Sequence, residues 1–221
     1  SEFQVNSYTD SSQSSPSVVA LSDGGFVVTW DSSGQDGSSA GVYGQRYDAV
    51  GTAVSSEFQV NTYTNTYQGS SSVSSMMDGG FVVTWQSSNQ GGSGQGVYGQ
   101  RYAAAGGTVG SEFLVSSYIG YYGADPSVAA LSDGGFVVSW KSYGQDGSLL
   151  GVYGQRYDES STTVGSEFQI NTYTSNHQSN PSVAAFSDGG FVVTWESYGQ
   201  DGSSYGVYGQ RYDAGGTVTG S

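Results

Sequence analysis

The sequence lacks cysteine, and it contains only three prolines and five basic residues among 221. Without cysteine the chain has no disulfide, no thiolate zinc ligand and no thiol nucleophile. The 19 acidic residues give a formal net charge of −14, and a chain so poor in cations cannot neutralise a phosphate backbone. We therefore expect no nucleic-acid partner. No apolar run approaches the ~18 residues of a membrane span, which predicts no membrane insertion.

Large aliphatic residues are also scarce, and this composition together with the net charge is typical of disordered chains. The 18 tyrosines and four tryptophans argue against disorder, because each aromatic side chain can bury ~150–250 Å². The length is sufficient for one domain with a real core.

The sequence consists of one unit repeated four times at intervals of 55 residues. Every copy contains a segment close to GGFVVTW and a segment GVYGQRY. The repeats cover approximately residues 1–55, 56–110, 111–165 and 166–221, and they predict a single repeat domain over 1–221. The repeated tryptophans are Trp30, Trp85, Trp140 and Trp195, and we expect all four to be core residues between neighbouring units.

Each unit predicts four short strands, typified by SEFQVNTYT, PSVAAL, GFVVTW and GVYGQRYD, with SDGG and GQDGS turns between them. No segment has the apolar period of a helix. The fold class predicted is all-β, a four-bladed β-propeller of four 55-residue repeats with four antiparallel strands per blade. An open stack and a sandwich are the other arrangements that such repeats allow.

The position of the termini predicts how the ring closes. If PSVVAL is the innermost strand, residues 2–6 form the outermost strand of the blade that begins at Pro181. We expect this N-terminal strand to close a monomeric propeller. Two alternatives remain: the four repeats are an excerpt from a longer array, or two chains form one larger ring.

The segments LSDGGFVVTW and GVYGQRYD resemble the tandem repeats of large, acidic, secreted bacterial surface proteins of adhesin-like type. The resemblance implies an extracellular or cell-surface location. SDGGFVVTW also has a distant similarity to the Asp box of sialidase propellers, through Ser22, Asp23 and Gly25. In that family the Asp box is a structural turn, so this similarity implies the fold and not an activity.

The repeated polar residues predict structural roles. An Asp before each Gly-Gly pair is expected to accept hydrogen bonds from turn amides. The repeated Glu and Arg are expected to form ion pairs between adjacent strands, or the Arg to stack on a tyrosine. His177 is expected to be a solvated loop residue.

The regularity of the repeat argues against catalysis. A glycosidase needs two converging carboxylates with different pKa values, whereas a perfect fourfold repeat would supply four equivalent ones. We therefore expect a protein that is not an enzyme.

One face of the propeller is expected to carry the loops that differ among the copies, and it is rich in tyrosine, amide and carboxylate groups. These groups suit sugar rings, and they suit a polar protein surface equally well. The function predicted is a non-enzymatic binding or adhesion module, with a glycan or a protein surface as ligand and glycan as the first to test. A structural spacer is the alternative, and a glycoside hydrolase is the less favoured one. The candidate ligand-binding residues are Gln35, Asp36, Tyr67, Tyr121, Tyr122, Tyr143, Gln145, Asp146, Tyr198, Gln200 and Asp201.

Calcium is the one cofactor that the acidic, glycine-rich loops suggest. Calcium takes 6–8 oxygen ligands, but each GQDGS loop offers one Asp, and Gly91 replaces it in the second repeat. We expect no cofactor and no metal site, with weak calcium binding left open.

Overall fold

The structure, a computed structural model, describes residues 2–220, and in this range it contains sixteen β-strands and no helix. No helix long and apolar enough to span a membrane is therefore found in this range. The strands are β1 Gln13–Ala20, β2 Phe26–Ser33, β3 Ala40–Tyr47, β4 Phe58–Gln59, β5 Gln68–Ser75, β6 Phe81–Ser88, β7 Gln95–Tyr102, β8 Thr108–Leu114, β9 Ser127–Ala130, β10 Phe136–Tyr143, β11 Leu150–Tyr157, β12 Thr163–Gln169, β13 Gln178–Ala185, β14 Phe191–Tyr198, β15 Tyr205–Tyr212 and β16 Val218–Thr219.

The strands form four antiparallel sheets of four strands each, β1–β4, β5–β8, β9–β12 and β13–β16, with the strands of every sheet in chain order. Innermost strands β1, β5, β9 and β13 contact one another in succession. The protein is a four-bladed β-propeller, which confirms the predicted fold class. In the first three blades the outermost strand includes residues from the start of the next repeat, as Phe58–Gln59 pairs with β3.

Neighbouring blades are joined by an aromatic cluster that recurs at each internal junction. Phe81 and Tyr102 of the second blade stack with their ring centroids 4.7 Å apart. Phe58, from the outermost strand of the first blade, lies 5.3 Å from Tyr102. Such aromatic pairs contribute beyond their buried area. All four repeated tryptophans are buried, as predicted.

The Asp of each SDGG turn has the predicted role, because Asp23 Oδ1 accepts a hydrogen bond from the Gly25 amide at 2.9 Å. Its Oδ2 is paired with Arg46 at 2.5 Å. The same Arg–Asp pair occurs in the other three blades. The predicted pairing of Arg with Glu is therefore wrong. The hairpin brings the turn carboxylate next to the guanidinium, while Glu57 accepts hydrogen bonds from Gln35 and from the amide of Ser7.

The predicted closure of the ring by the N-terminal strand is also wrong. Residues 2–6 belong to no strand, and the outermost strand of the fourth blade is β16, which pairs with Arg211 and Tyr212. Phe3 instead packs on Phe26 and Tyr47 of the first blade, with centroids 6.5 and 5.3 Å away. The N-terminal segment thus keeps the aromatic contacts that the repeat provides without pairing with β15.

Candidate active site

The fourfold repeat is broken at the residue that follows each buried tryptophan. Every copy has a different polar residue at this position: Asp31, Gln86, Lys141 and Glu196. These residues lie in the second strand of each blade, next to the innermost strand of their own or the following blade. A scaffold of four equivalent blades therefore carries four different functional groups near its centre.

A left-handed backbone position in the innermost strand, or just before it in the third blade, supplies the second set of polar groups. The pairing register shifts between Ser14 and Ser17, and the same irregularity occurs in the second and fourth blades. At each equivalent position the backbone is left-handed, with φ of 53° at Ser15 and 37° at Asp125. Bulges re-aim side chains and occur often beside active sites. The four residues are Ser15, Ser70, Asp125 and Asn180.

The two sets of residues contact each other. The amide of Ser70 donates to Asp31 Oδ2 at 3.0 Å, and Lys141 Nζ forms an ion pair with Asp125. In the fourth blade Asn180 Nδ2 donates to Glu196 Oε2 at 2.8 Å. These three pairs thus place three carboxylates and one ammonium in different environments on the second strands and beside the innermost strands.

Asp31 is the buried carboxyl of this group. Burial raises its pKa, although hydrogen bonds, led by that from the Ser70 amide, oppose the shift. The hydroxyl of Tyr67 lies 3.3 Å from Asp31 Oδ2, while Asp31 Oδ1 has no hydrogen-bond partner within residues 2–220. Burial and the nearby Asp31 carboxylate raise the pKa of Tyr67, so this phenol remains protonated at neutral pH. The pair thus consists of a buried carboxyl with a raised pKa and a phenol that donates a hydrogen bond to it, and perturbed groups of this kind are common at functional sites.

A cavity of about 490 Å³ opens beside this pair, between the second and third blades. Its volume is within the range of small-molecule sites. Asp125 and Lys141 face it from the third blade, and Tyr67 and Ser70 connect it to Asp31. The residues most relevant to binding are Tyr67, Ser70, Gln86, Tyr122, Asp125 and Lys141.

The structure brings together only some of the site residues predicted from sequence. Tyr67 and Tyr122 both line the cavity. Tyr143 lies against Tyr122 in an edge-to-face contact with centroids 5.8 Å apart, and Tyr121 is exposed nearby in sequence. Tyr198 contacts Tyr205 at the outer side of the fourth blade.

The predicted amides and carboxylates of the GQDGS loops lie elsewhere. Gln145 donates to Glu167 at 2.5 Å, as Gln35 does to Glu57, whereas Gln200 has no such glutamate within the described range. The carboxylates accept hydrogen bonds from amides of their own turns, for example Asp146 from Ser148 at 2.9 Å; the other two are Asp36 and Asp201. No group of three or more metal-ligating side chains occurs among residues 2–220.

His177 occupies the position in the fourth repeat that Tyr67 and Tyr122 occupy in the second and third. It is half-buried and bridges to Leu150 of β11, so the prediction of a solvated loop residue is wrong. The neighbouring blade covers this segment, which sequence alone does not reveal.

Sequence reasoning missed Asp31, Asp125, Lys141 and Glu196. A signal was present for Asp31, Lys141 and Glu196, because the four copies differ in charge at this position while the Trp before it and the Ser after it stay the same. Asp125 has no such signal, because its flanking residues also differ among the copies.

The raised pKa of Asp31 predicts a measurable pH dependence of stability. Between pH 3.8, the ordinary pKa of an Asp side chain, and the higher pKa of Asp31 in the folded protein, the native state retains a proton that the unfolded state has released. The free energy of unfolding therefore falls as pH rises through this window. Asp31→Asn removes this dependence, so its melting temperature relative to the wild type should increase as the pH is raised above about 4.

The matched comparison is Asp23→Asn, in the same repeat. A hydrogen bond from the Gly25 amide lowers the pKa of Asp23. The ionised Asp23 carboxylate therefore stabilises the fold above pH 3.8, and this stabilisation is lost as the pH falls further. The melting temperature of this variant relative to the wild type should move in the opposite direction. Equal pH profiles for the wild type and Asp31→Asn would contradict the assignment of Asp31 as a buried, perturbed carboxyl.

No protein-family model and no curated protein matches this chain. Several solved propellers match it in fold. The Hadza microbial sialidase Hz136 has a TM-score of 0.63 at 13% identity over 95% of this chain and 46% of its own. A variant of the α-L-arabinofuranosidase Arb93A from Fusarium graminearum has a TM-score of 0.66 at 13% identity, and the match covers 96% of this chain and 67% of that one. An α-L-arabinofuranosidase from Lactobacillus brevis has a TM-score of 0.55 at 13% identity, and the match covers 93% of this chain and 74% of that one.

This chain spans about half the length of the sialidase. At these identities the likeness establishes the fold. It also corrects the expectation of a non-enzymatic adhesion module, because the similar propellers bear the names of glycosidases. The expectation that the protein is not an enzyme is corrected on the same finding. The argument from equivalent carboxylates failed because the repeat is not perfect at the centre.

Proposed function

We propose that the protein is a glycoside hydrolase whose active site is the cavity between the second and third blades. The observation that carries the proposal is the broken repeat, which places Asp125 and Lys141 in the lining of one cavity and Asp31 behind the lining residues Tyr67 and Ser70. Glycosidases use a pair of carboxyl groups in different environments, one as acid and one as base or nucleophile. The similarity to propellers that are themselves glycosidases supports the proposal.

Asp125 is the base or nucleophile in this proposal. Its carboxylate lines the cavity and is partly exposed, and the ammonium of Lys141 lies beside it. Its backbone is left-handed, with φ of 37° just before β9, and the contact with Lys141 holds the carboxylate at the cavity.

Asp31 and Tyr67 together form the acid. The Tyr67 hydroxyl reaches both the cavity and Asp31 Oδ2. In this proposal the Tyr67 hydroxyl, which donates a hydrogen bond to Asp31 Oδ2, delivers its proton to the leaving glycosidic oxygen, and the Asp31 carboxyl replaces that proton when it carries one. The buried position keeps Asp31 protonated to higher pH than an exposed Asp, which is what an acid needs.

The substrate class we propose is a neutral glycan containing α-L-arabinofuranosyl units. A sialic acid substrate carries a carboxylate, and its recognition would require cations around the cavity. The four arginines instead pair with the Asp residues of the SDGG turns, and Lys141 pairs with Asp125. The arabinofuranosidases and arabinanases among the similar propellers also favour this class. An extracellular location, expected from the sequence, suits an enzyme acting on a polymer.

The test is to assay the protein against 4-nitrophenyl α-L-arabinofuranoside, arabinan and a sialyl-lactose substrate. We expect release of arabinose and no release of sialic acid. Tyr67→Phe should lower kcat by about 10²-fold, because it removes the hydroxyl that delivers the proton, and it should leave the fold unchanged. No turnover on any neutral glycan, or a Tyr67→Phe variant with wild-type kcat, would refute the proposal.

A further inference from the structure

The first and fourth blades each expose an apolar face, and the equivalent faces of the other blades are buried at the junctions between blades. Val207 is 79% exposed, whereas its equivalents Val42, Val97 and Val152 are 0% exposed. On the first blade Val18 is 66% exposed, and its equivalents are 7 to 9% exposed: Val73, Val128 and Val183. The residues facing solvent here are thus the ones that the repeat places in the interior.

The hydrogen bonds that cross the internal junctions are also missing at these faces. The amide of Val73 donates to Ser17 Oγ at 3.3 Å, and the same bond recurs at the other two internal junctions, at 3.2 and 3.1 Å. In residues 2–220, neither the Val18 amide nor the Ser182 hydroxyl forms the equivalent bond. The two faces are the two halves of one junction.

The edge of β15 shows the same incompleteness. In the second and third blades the outermost strand pairs along both halves of its neighbour, for example Gly99 with Phe113 and Tyr102 with Thr108. In the fourth blade only the second half of β15 is paired, with β16. By the repeat register, Tyr208 and Gly209 would pair with Gln4 and Phe3.

We propose that a second copy of the chain covers these faces. The fourth blade of each copy packs on the first blade of the other, and residues 2–5 of one copy pair with the free half of β15 in its partner. The four blades of each copy form an open arc, and the two arcs together form an eight-bladed ring through two identical head-to-tail junctions. Eight blades lie within the range of known propellers, and a head-to-tail contact closes into a ring when its rotation allows.

A second copy fits better than closure by the same chain. A hydrophobic cluster spans each of the three internal junctions, whereas among residues 2–220 no such cluster joins the first blade to the fourth. The partner needs a face that matches these residues one by one, and another molecule of the chain has it. The monomer expected from the sequence depended on closure by residues 2–6, which the structure lacks.

The experiment is to measure the molar mass of the purified full chain by light scattering at an ionic strength of about 0.15 M. We expect twice the 22.9 kDa of one chain. Val207→Glu and Val18→Glu should each convert the dimer to a monomer with an unchanged circular dichroism spectrum, because both side chains are exposed within one copy. The control is Val50→Glu, in a loop and 86% exposed, which should stay dimeric.

Mixing the two monomeric variants provides a second measurement. One junction of the mixed ring then carries Val207 opposite Val18, while both substitutions lie at the other, so mixing should restore a two-chain species. A wild-type monomer, assemblies larger than two chains, or a dimer that persists in either single variant would overturn the proposal. If Val207→Glu fails to fold, the molar mass of Val18→Glu alone is the test: a monomer supports the proposal and a dimer overturns it.

Discussion

Asp125→Asn should reduce kcat on an arabinofuranoside by about 10²–10⁴-fold, the range expected for loss of a positioned acid or base. The substitution keeps the shape of the side chain and removes its charge. Asn is among the residues that tolerate the left-handed backbone found at this position, where φ is 37°. We therefore expect a folded protein that binds substrate but does not turn it over. Steady-state kinetics together with a thermal melt test this.

The matched control is Asp133→Asn in the same blade. Asp133 lies at the SDGG turn, pairs with Arg156 at 3.5 Å and is not part of the cavity lining. The same change of charge there should leave kcat within about twofold, since the turn acceptor is retained. Equal losses in the two variants would show that net charge, and not the cavity carboxylate, governs turnover.

Trp140→Ala should lower the free energy of unfolding by about 3–5 kcal/mol, the usual cost of truncating a buried aromatic residue. The indole lies in a cluster that joins the second and third blades, and Val82 and Val97 contribute to it from the second blade. Because the same junction forms one wall of the cavity, loss of stability should be accompanied by loss of activity. Denaturant unfolding followed by circular dichroism measures the effect.

Trp140→Phe is the comparison that separates packing from polarity. The indole Nε1 is buried and has no hydrogen-bond partner within the described part of the chain, so removing it leaves no new unsatisfied group. We expect this variant to lose less than half of what Trp140→Ala loses. A Phe variant as unstable as the Ala variant would mean that an unseen partner holds the indole nitrogen.

The sequence alone determined the four repeats, the all-β class and the turn role of the repeated Asp residues. These follow from local rules: the alternation of apolar residues predicts strands, and Asp before Gly-Gly predicts a hairpin whose carboxylate binds its own amides. Buried tryptophans follow from the same patterning. None of these properties depends on how distant parts of the chain meet.

The candidate site was decided by tertiary structure. Asp31 and Ser70 are 39 residues apart and become neighbours because one blade packs its second strand against the innermost strand of the next. The partner of each Arg was likewise set by which hairpin turn lies beside it, since Asp and Glu are equally available in the sequence. Burial then raised the pKa of Asp31, and burial depends on the whole assembly of blades.

The sequence also did not determine whether the ring of blades closes within one chain. A perfect repeat is compatible with closure by residues 2–6, with a longer array and with two chains, because the junction uses the same residues in every case. Only the packing between blades sets the curvature of the arc. The sequence determined what each junction is made of, and the tertiary structure decided that the fourth junction is left open within one chain.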